Sequence, residues 1–248
     1  MPDQTVILFE RDGDPETGLQ TWDPIAPEAI ASGSPVQRGH VYFSTDNERL
    51  TAGVWDCTAH DEVRGPYEVD EFMLLLEGSL DIENEDGSIQ TFHTGDGFMI
   101  PKGAVLQWRQ TEYLRKFWMI HDNPDSPPAA AGLRAQLLDP QASLPRVSGL
   151  DPADFESAVP DMGLLSLYRD PTGRLQIGLW ESEPMTRVPG ILNRTELMHI
   201  LEGSGSIVNG DGVEFKFSAG DTFLVPIGMG YQWKSQEYVR KLFCSYTP

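Results

Sequence analysis

The chain has 248 residues, a formal net charge of −20 at pH 7, and 40% hydrophobic and 10% aromatic residues. This composition predicts a folded globular protein. The negative charge argues against nucleic-acid partners, which bind clustered Lys and Arg, and against anionic membranes. Two cysteines without a CxxC pattern, and an N-terminus without a basic and apolar leader, lead us to expect a cytoplasmic protein.

Taken in chain order, most of the predicted elements are short strands. Runs of four to six residues rich in aromatic and branched side chains are typical of strands, and in the first half they lie at residues 53–57, 72–76, 80–83, 97–100 and 115–120. Clusters of Asn, Asp and Gly predict hairpin turns, at residues 84–87 and 209–212. This pattern predicts an all-β sandwich or barrel.

Helices play a minor part in this prediction. No amphipathic stretch is long enough to form a central helix, and short helices are predicted at residues 129–138 and 151–158. Three prolines in residues 122–128 indicate a linker.

One predicted strand begins with a glutamate whose side chain faces an apolar core. Residues 72–76 are apolar on both alternating faces, which predicts a strand covered on both sides. Glu71 begins this strand and shares the face of Met73 and Leu75, and Glu196 has the same position in the second half. A carboxylate that points into an apolar core needs a partner or must take up a proton.

The chain repeats itself at a fixed offset of 125 residues. Between residues 49–118 and 174–243, about 28 of 70 aligned pairs are identical without a gap, which marks a duplicated unit. We therefore expect two domains of one fold, residues 1–124 and 125–248, each of an ordinary domain size.

The repeated motifs resemble those of the cupin superfamily. The first cupin motif has a Glu seven residues before a Gly, and the second has a Gly, five residues, a Pro, one residue and a Gly. Both occur twice here, as Glu71 to Gly78 with Gly95 to Gly103, and as Glu196 to Gly203 with Gly220 to Gly228. The resemblance implies two tandem cupin (RmlC-like) jelly-roll barrels, a bicupin. The Glu-Tyr-x-Arg-Lys run that follows is similar to the subgroup of ureidoglycine aminohydrolase and ethanolamine-utilisation cupins.

The resemblance also implies a metal bound by three histidines and the motif glutamate, but the histidines are missing. The slots for the paired histidines hold Arg64 and Pro66 or Gly65 and Tyr67, and in the second copy Pro189 and Ile191 or Gly190 and Leu192. The third slot holds Leu106 and Tyr231. One carboxylate among apolar groups is a poor transition-metal site, so we expect neither a metal nor another cofactor.

Each barrel instead has candidate ligand-binding residues around its glutamate. They are Glu71, Trp108, Lys116, Tyr67 and Arg64 in the first copy, and Glu196, Tyr231, Trp233 and Lys241 in the second. The alternative is that the aromatic residues only fill a barrel that has lost its metal. Trp55 and Trp180 are assigned to the core.

The motif glutamates are expected to pair with a cation of the late strand. The candidates are Arg115-Lys116 in the first copy and Arg240-Lys241 in the second. The alternatives are a protonated acid, a hydrogen bond to backbone at the barrel rim, or surface pairs of these cations with Glu112 and Glu237.

The function predicted from the sequence is that of a metal-poor cytoplasmic bicupin that binds a small polar metabolite. One alternative is an enzyme that resembles ureidoglycine aminohydrolase and acts on a small nitrogen compound. Another is a structural or sensing partner of amine-catabolism enzymes. We expect a homodimer, because the apolar outer faces of the barrels need cover. No residue is assigned a catalytic role.

Overall fold

The computed structural model describes residues 5–47, 49–124 and 132–248. In these ranges the helical structure consists of two short 3-10 turns, Pro27–Ala29 and Pro152–Asp154, and the remaining regular structure is β-strand. No helix of the described residues is long and apolar enough to cross a membrane. The all-β prediction is confirmed.

The described chain forms two compact units. One comprises Phe9–Asp139 and is called the N-terminal barrel below. The other, the C-terminal barrel, comprises Pro140–Pro248 together with the first strand, β1 (Ile7–Leu8).

The N-terminal barrel contains two antiparallel sheets. Its strands are β2 (Gln20–Thr21), β3 (Ile30–Gly33), β4 (Gln37–Ser44), β5 (Leu50–Cys57), β6 (His60–Glu62), β7 (Gly65–Pro66), β8 (Asp70–Glu77), β9 (Ser79–Asn84), β10 (Ile89–His93), β11 (Gly97–Ile100), β12 (Val105–Gln110), β13 (Leu114–His121) and β14 (Gln136–Leu138). The larger sheet has the order β14-β11-β8-β13-β5-β4-β2. The smaller has the order β10-β9-β12-β6-β3, and β7 also pairs with β12. Inward-facing residues of both sheets form one hydrophobic core.

The C-terminal barrel has the same construction. Its further strands are β15 (Met162–Arg169), β16 (Leu175–Ser182), β17 (Met185–Thr186), β18 (Gly190–Ile191), β19 (Thr195–Glu202), β20 (Ser204–Val208), β21 (Glu214–Ser218), β22 (Thr222–Val225), β23 (Gly230–Ser235) and β24 (Val239–Tyr246). The larger sheet has the order β1-β22-β19-β24-β16-β15, and the smaller β17-β23-β20-β21, with β18 also paired to β23. Each unit is thus a jelly roll of two facing antiparallel sheets.

The sequence offset reappears in the strands. The central strands β5, β8, β11 and β13 have the bounds of β16, β19, β22 and β24 shifted by 125 residues. They also occupy the same places in the sheet order. The predicted repetition of one barrel topology is confirmed.

The pairing of the edge strands β1 and β14 could not be predicted from the repeat. β1 precedes the first copy in the chain, but it pairs with β22 of the second copy, Ile7 opposite Leu224. β14 precedes the second copy and pairs with β11 of the first, Leu137 opposite Phe98. Each copy therefore supplies the edge strand of the other copy's larger sheet, which covers an otherwise open edge.

The predicted helices are largely wrong. Residues 136–138 of the first predicted helix form β14, because their backbone pairs with an open sheet edge. Residues 129–131 of that helix, and most of the predicted linker, lie outside the described residues. Of the second predicted helix only the 3-10 turn Pro152–Asp154 forms, and Asp151 caps it by accepting a hydrogen bond from Ala153 N.

Candidate functional site

A buried lysine lies at the centre of the N-terminal barrel. Nζ of Lys116 is 2.8 Å from Oε1 of Glu71 and 3.2 Å from Sδ of Met73. The indole rings of Trp55 and Trp108 have their centroids 4.9 and 4.8 Å from Nζ, within the range of cation–π contacts. The side chains of Lys116 and Glu71 are only 8% and 4% exposed. The ammonium is therefore enclosed by a carboxylate, a thioether and two indole faces.

The C-terminal barrel repeats this arrangement almost atom for atom. Nζ of Lys241 is 2.7 Å from Oε1 of Glu196 and 3.1 Å from Sδ of Met198. The ring centroids of Trp180 and Trp233 lie 4.9 and 5.0 Å from Nζ. The predicted pairing of each motif glutamate with a cation of the late strand is thus present in both barrels.

The arginine of the repeated Glu-Tyr-x-Arg-Lys run faces the other side of the sheet. Arg115 donates to Asp56 at 3.0 Å, and the Tyr113 hydroxyl donates to the same carboxylate at 2.6 Å. Asp56 is 1% exposed, so its carboxylate is buried. The network therefore anchors the run on the face of the sheet opposite to Lys116. The second copy builds it from Arg240, Tyr238 and Glu181.

The glutamate of the run has a separate partner. Glu112 accepts a hydrogen bond from the Ser79 hydroxyl at 2.9 Å, and Glu237 accepts one from Ser204. The basic residues of the two runs pair with other carboxylates, which are Asp56, Glu71, Glu181 and Glu196. Of each repeated run, only the lysine enters the barrel.

The second oxygen of each glutamate distinguishes the two copies. In the N-terminal barrel the Tyr67 hydroxyl donates to Oε2 of Glu71. Burial, together with the charge of Glu71, raises the pKa of Tyr67 well above its ordinary value, so the hydroxyl stays protonated. In the C-terminal barrel Leu192 has the position of Tyr67, and Nε of Arg194 donates to Oε2 of Glu196 instead.

Glu196 is consequently a charged carboxylate held between two cations. Burial opposes its ionisation, but Lys241 and Arg194 outweigh that effect and lower its pKa. The site thus contains two positive charges and one negative charge, and Lys241 and Glu196 are almost fully buried, where charges interact strongly.

The structure brings together all but one of the predicted site residues. Glu71, Tyr67, Trp108 and Lys116 form one cluster, and Glu196, Tyr231, Trp233 and Lys241 line one cavity. Arg64 does not join the first cluster, because its guanidinium pairs with Glu83 and donates to the carbonyl of Asn84 at 2.7 Å. Its candidate role in ligand binding has no support from this position.

The sequence analysis did not assign five residues of the two clusters to the site, among them Met73 and Met198, whose thioethers contact the ammonium groups. Trp55 and Trp180 pack with the two cores as predicted, and their rings also contact the buried ammonium groups. The signal was their strict repetition at the 125-residue offset. Arg194 was not among the candidate site residues, because its position in the first copy is Val69 and no repeat draws attention to it.

The residues around the motif glutamates do not fit a transition metal. The place beside Oε1 of each glutamate is taken by an ammonium group at 2.8 or 2.7 Å. The other neighbours are indole faces and thioethers, whereas such metals prefer several imidazole, carboxylate or thiolate ligands. A divalent ion at this point would lie directly against a positive charge.

The protein is expected to purify with less than about 0.1 equivalent of Mn, Fe, Ni or Zn, and a chelator should leave its melting temperature unchanged, since only ligands of the native state stabilise it. Inductively coupled plasma mass spectrometry and differential scanning fluorimetry measure both quantities. About one equivalent of metal, lost on Glu71→Gln or Glu196→Gln, would contradict this prediction.

An open cavity of about 640 Å³ adjoins the ion pair of the C-terminal barrel. Its volume lies within the range of ligand pockets in proteins. Apolar and aromatic side chains form part of its lining, including Met185, Leu192, Tyr231 and Phe243. The ion pair forms its inner wall through Glu196 and Lys241.

The corresponding space of the N-terminal barrel is filled by larger side chains. Trp22 packs against the core there, and its ring lies so close over Gly39 that a Cβ atom at Gly39 would meet it at 2.3 Å. Trp22 also makes an edge contact with Trp118, with centroids 6.4 Å apart. The second copy has Val147, Leu164 and Phe243 at these positions, and all three line the cavity. Tyr67, replaced there by Leu192, completes the difference.

Solved structures show the same fold across nearly the whole chain. A protein of unknown function of the DUF861 family from Pseudomonas syringae pv. tomato is similar with a TM-score of 0.78 and 24% identity, over 98% of this chain and 100% of that one. A putative dioxygenase from Nostoc punctiforme gives 0.60 and 15%, over 100% and 84%. A putative glyoxylate-induced protein from Pseudomonas aeruginosa gives 0.58 and 14%, over 97% and 96%. At these identities the likeness concerns the fold alone.

No curated protein matches the chain at a significant level. The model of the EutQ-like cupin domain matches twice, at residues 45–118 and 169–243. These regions make up more than half of the chain and contain the residues of both ion pairs. The chain therefore belongs to the EutQ-like cupin domain family and is a bicupin with two copies of that domain.

Proposed function

We propose that the C-terminal barrel binds a small organic anion in its cavity, and that the N-terminal barrel is a closed copy with a structural role. The observation that carries this proposal is the charge of the cavity. Among the described residues its lining includes five cationic and two acidic side chains, which are Arg169, Arg174, Arg187, Arg194 and Lys241 against Asp154 and Glu196. This excess occurs in a chain with a net charge of −20. A concave site of one sign concentrates ligands of the opposite sign.

Part of the positive charge is particular to the second copy. Arg187 and Arg194 have Glu62 and Val69 at the equivalent positions of the first copy. The internal repeat thus serves as a comparison in which the same barrel lacks both the opening and these two arginines. This supports a division of roles between the two barrels.

The cavity also offers surface for an uncharged part of the ligand. Met185, Leu192 and Phe243 present apolar groups to it, while Gln176 and Ser245 present polar ones. In the first copy Ser245 corresponds to Ile120, which packs against the core. A mixed lining of this kind suits a small metabolite with an apolar body.

Hydrolysis of a small nitrogen compound, as in ureidoglycine aminohydrolase, is less well supported. The resemblance implies a metal at the motif glutamate, and in this chain an ammonium group occupies that place. A cationic cavity also disfavours a cationic amine as ligand. The arrangement favours binding of an anion over metal-dependent hydrolysis.

Isothermal titration calorimetry with small carboxylates and with amides and amines of the same shape tests the proposal. We expect the carboxylates to bind and the amines not to bind. The double variant Val147→Trp/Leu164→Gly introduces the filling residues of the first copy and should weaken carboxylate binding by at least about tenfold, since it closes the cavity. Preferential binding of the amines, or unchanged carboxylate binding to the double variant, would overturn the proposal.

A further inference from the structure

Arg194 lies at the cavity with part of its guanidinium uncommitted. Its Nε donates to Oε2 of Glu196, and its side chain is 41% exposed. In the described part of the chain, the hydrogen bonds of this guanidinium go to that carboxylate alone. Binding through Nε fixes the plane of the group and leaves both Nη atoms for a second acceptor. Such a fork matches a planar carboxylate with two parallel hydrogen bonds.

The charge at the inner end of the cavity suits a single negative charge. Glu196 is neutralised by Lys241 at 2.7 Å, so the charge of Arg194 remains unbalanced. Two of the other cations in the lining already have side-chain partners. Arg187 lies 3.4 Å from Asp154, and Arg169 donates to Gln176 at 2.8 Å.

Tyr231 adds a neutral donor beside this cation. Its side chain lines the cavity, and its hydroxyl lies close enough to Arg194 and Glu196 for their charges to act on its pKa. Burial raises the pKa of the phenol above its ordinary value, so the hydroxyl keeps its proton. Among the described residues no hydrogen-bond partner of this hydroxyl is present. The first copy has Leu106 at this position, within its core.

We infer that the ligand is a monocarboxylate with an apolar or aromatic body, whose carboxylate is held by the Nη fork of Arg194 and the hydroxyl of Tyr231. This inference rests on the proposed function and names its ligand class and anchoring residues. Glu196 and Lys241 position Arg194 and do not touch the ligand carboxylate. The body of the ligand packs on Met185, Leu192 and Phe243, which line the same cavity.

The experiment uses benzoate as the probe, benzamide as its neutral isostere and phenylphosphonate as a doubly charged analogue. We expect the full-length protein to bind benzoate at least about tenfold more tightly than either analogue. Arg194→Val introduces the residue of the first copy and should weaken benzoate binding about 10- to 100-fold while leaving benzamide unchanged. Tyr231→Phe should weaken benzoate binding about 3- to 10-fold. Calorimetric titration measures all three affinities.

The outcomes separate this inference from the proposed function. If carboxylates bind in the cavity but Arg194→Val weakens benzoate and benzamide equally, or not at all, the anchor is wrong and the anion site stands. If phenylphosphonate binds most tightly, the monocarboxylate class is wrong. If no carboxylate binds, the proposed function fails as well. Should Arg194→Val not fold, Arg194→Lys keeps the charge without the fork, and it should retain less than about one tenth of the benzoate affinity.

Discussion

Replacing Lys116 with methionine is expected to lower the free energy of unfolding of the N-terminal barrel by about 3–5 kcal/mol, because it leaves a buried carboxylate without its cation. Glu71 is 3% exposed, and only the Tyr67 hydroxyl would remain to compensate its charge. The equivalent change Lys241→Met should have a smaller effect, since Arg194 still pairs with Glu196. Differential scanning calorimetry and urea unfolding of the variants measure this difference.

A double-mutant cycle provides the control. Glu71→Gln alone should also destabilise the barrel, because Lys116 then lacks its counter-charge, whereas Lys116→Met/Glu71→Gln should recover much of the loss. Loss of less than about 1 kcal/mol in both single variants would show that the pair contributes no more than an exposed one. The assignment of these residues as a buried ion pair would then be wrong.

The second large effect is expected for Gly203, the glycine that ends the first motif of the C-terminal barrel. Its φ is +83°, and a Cβ atom there would lie 2.0 Å from the carbonyl oxygen of Tyr238. Gly203→Ala combines left-handed strain with a backbone clash and should destabilise the protein by about 3 kcal/mol. Thermal and urea unfolding check this value. Tyr238 belongs to the run that carries Lys241, so this close approach helps to place the lysine opposite Glu196.

Gly220 is the matched control for this substitution. Its φ of +96° is also left-handed, but a Cβ atom there would have no neighbour within 4 Å. Gly220→Ala should therefore show only the conformational strain, about 1–2 kcal/mol. Equal effects of Gly203→Ala and Gly220→Ala would mean that the predicted backbone clash relaxes without cost.

Both barrels, and two candidate cations for each glutamate, could be predicted from the sequence. The repeat at 125 residues and the alternation of Glu71 with Met73 and Leu75 are local patterns, and strand geometry converts them directly into an inward-facing carboxylate. The recurrence of Lys116 and Lys241 then supplied the counter-charge. The structure was needed to show that Lys116 and not Arg115 pairs with Glu71. This depends on the orientation of the late strand, which directs Arg115 to Asp56 on the opposite face of the sheet.

What the sequence alone determined was the repeated barrel and the inward-facing glutamate of each copy. Only the tertiary structure decided that β1 and β14 exchange edges, since a short strand carries no signal of which open edge it pairs with. It also decided which barrel has a cavity. In the N-terminal barrel Trp22 lies over Gly39, whereas in the C-terminal barrel Val147 and Leu164 leave the equivalent space open. This difference depends on how side chains from strands distant in the sequence pack together.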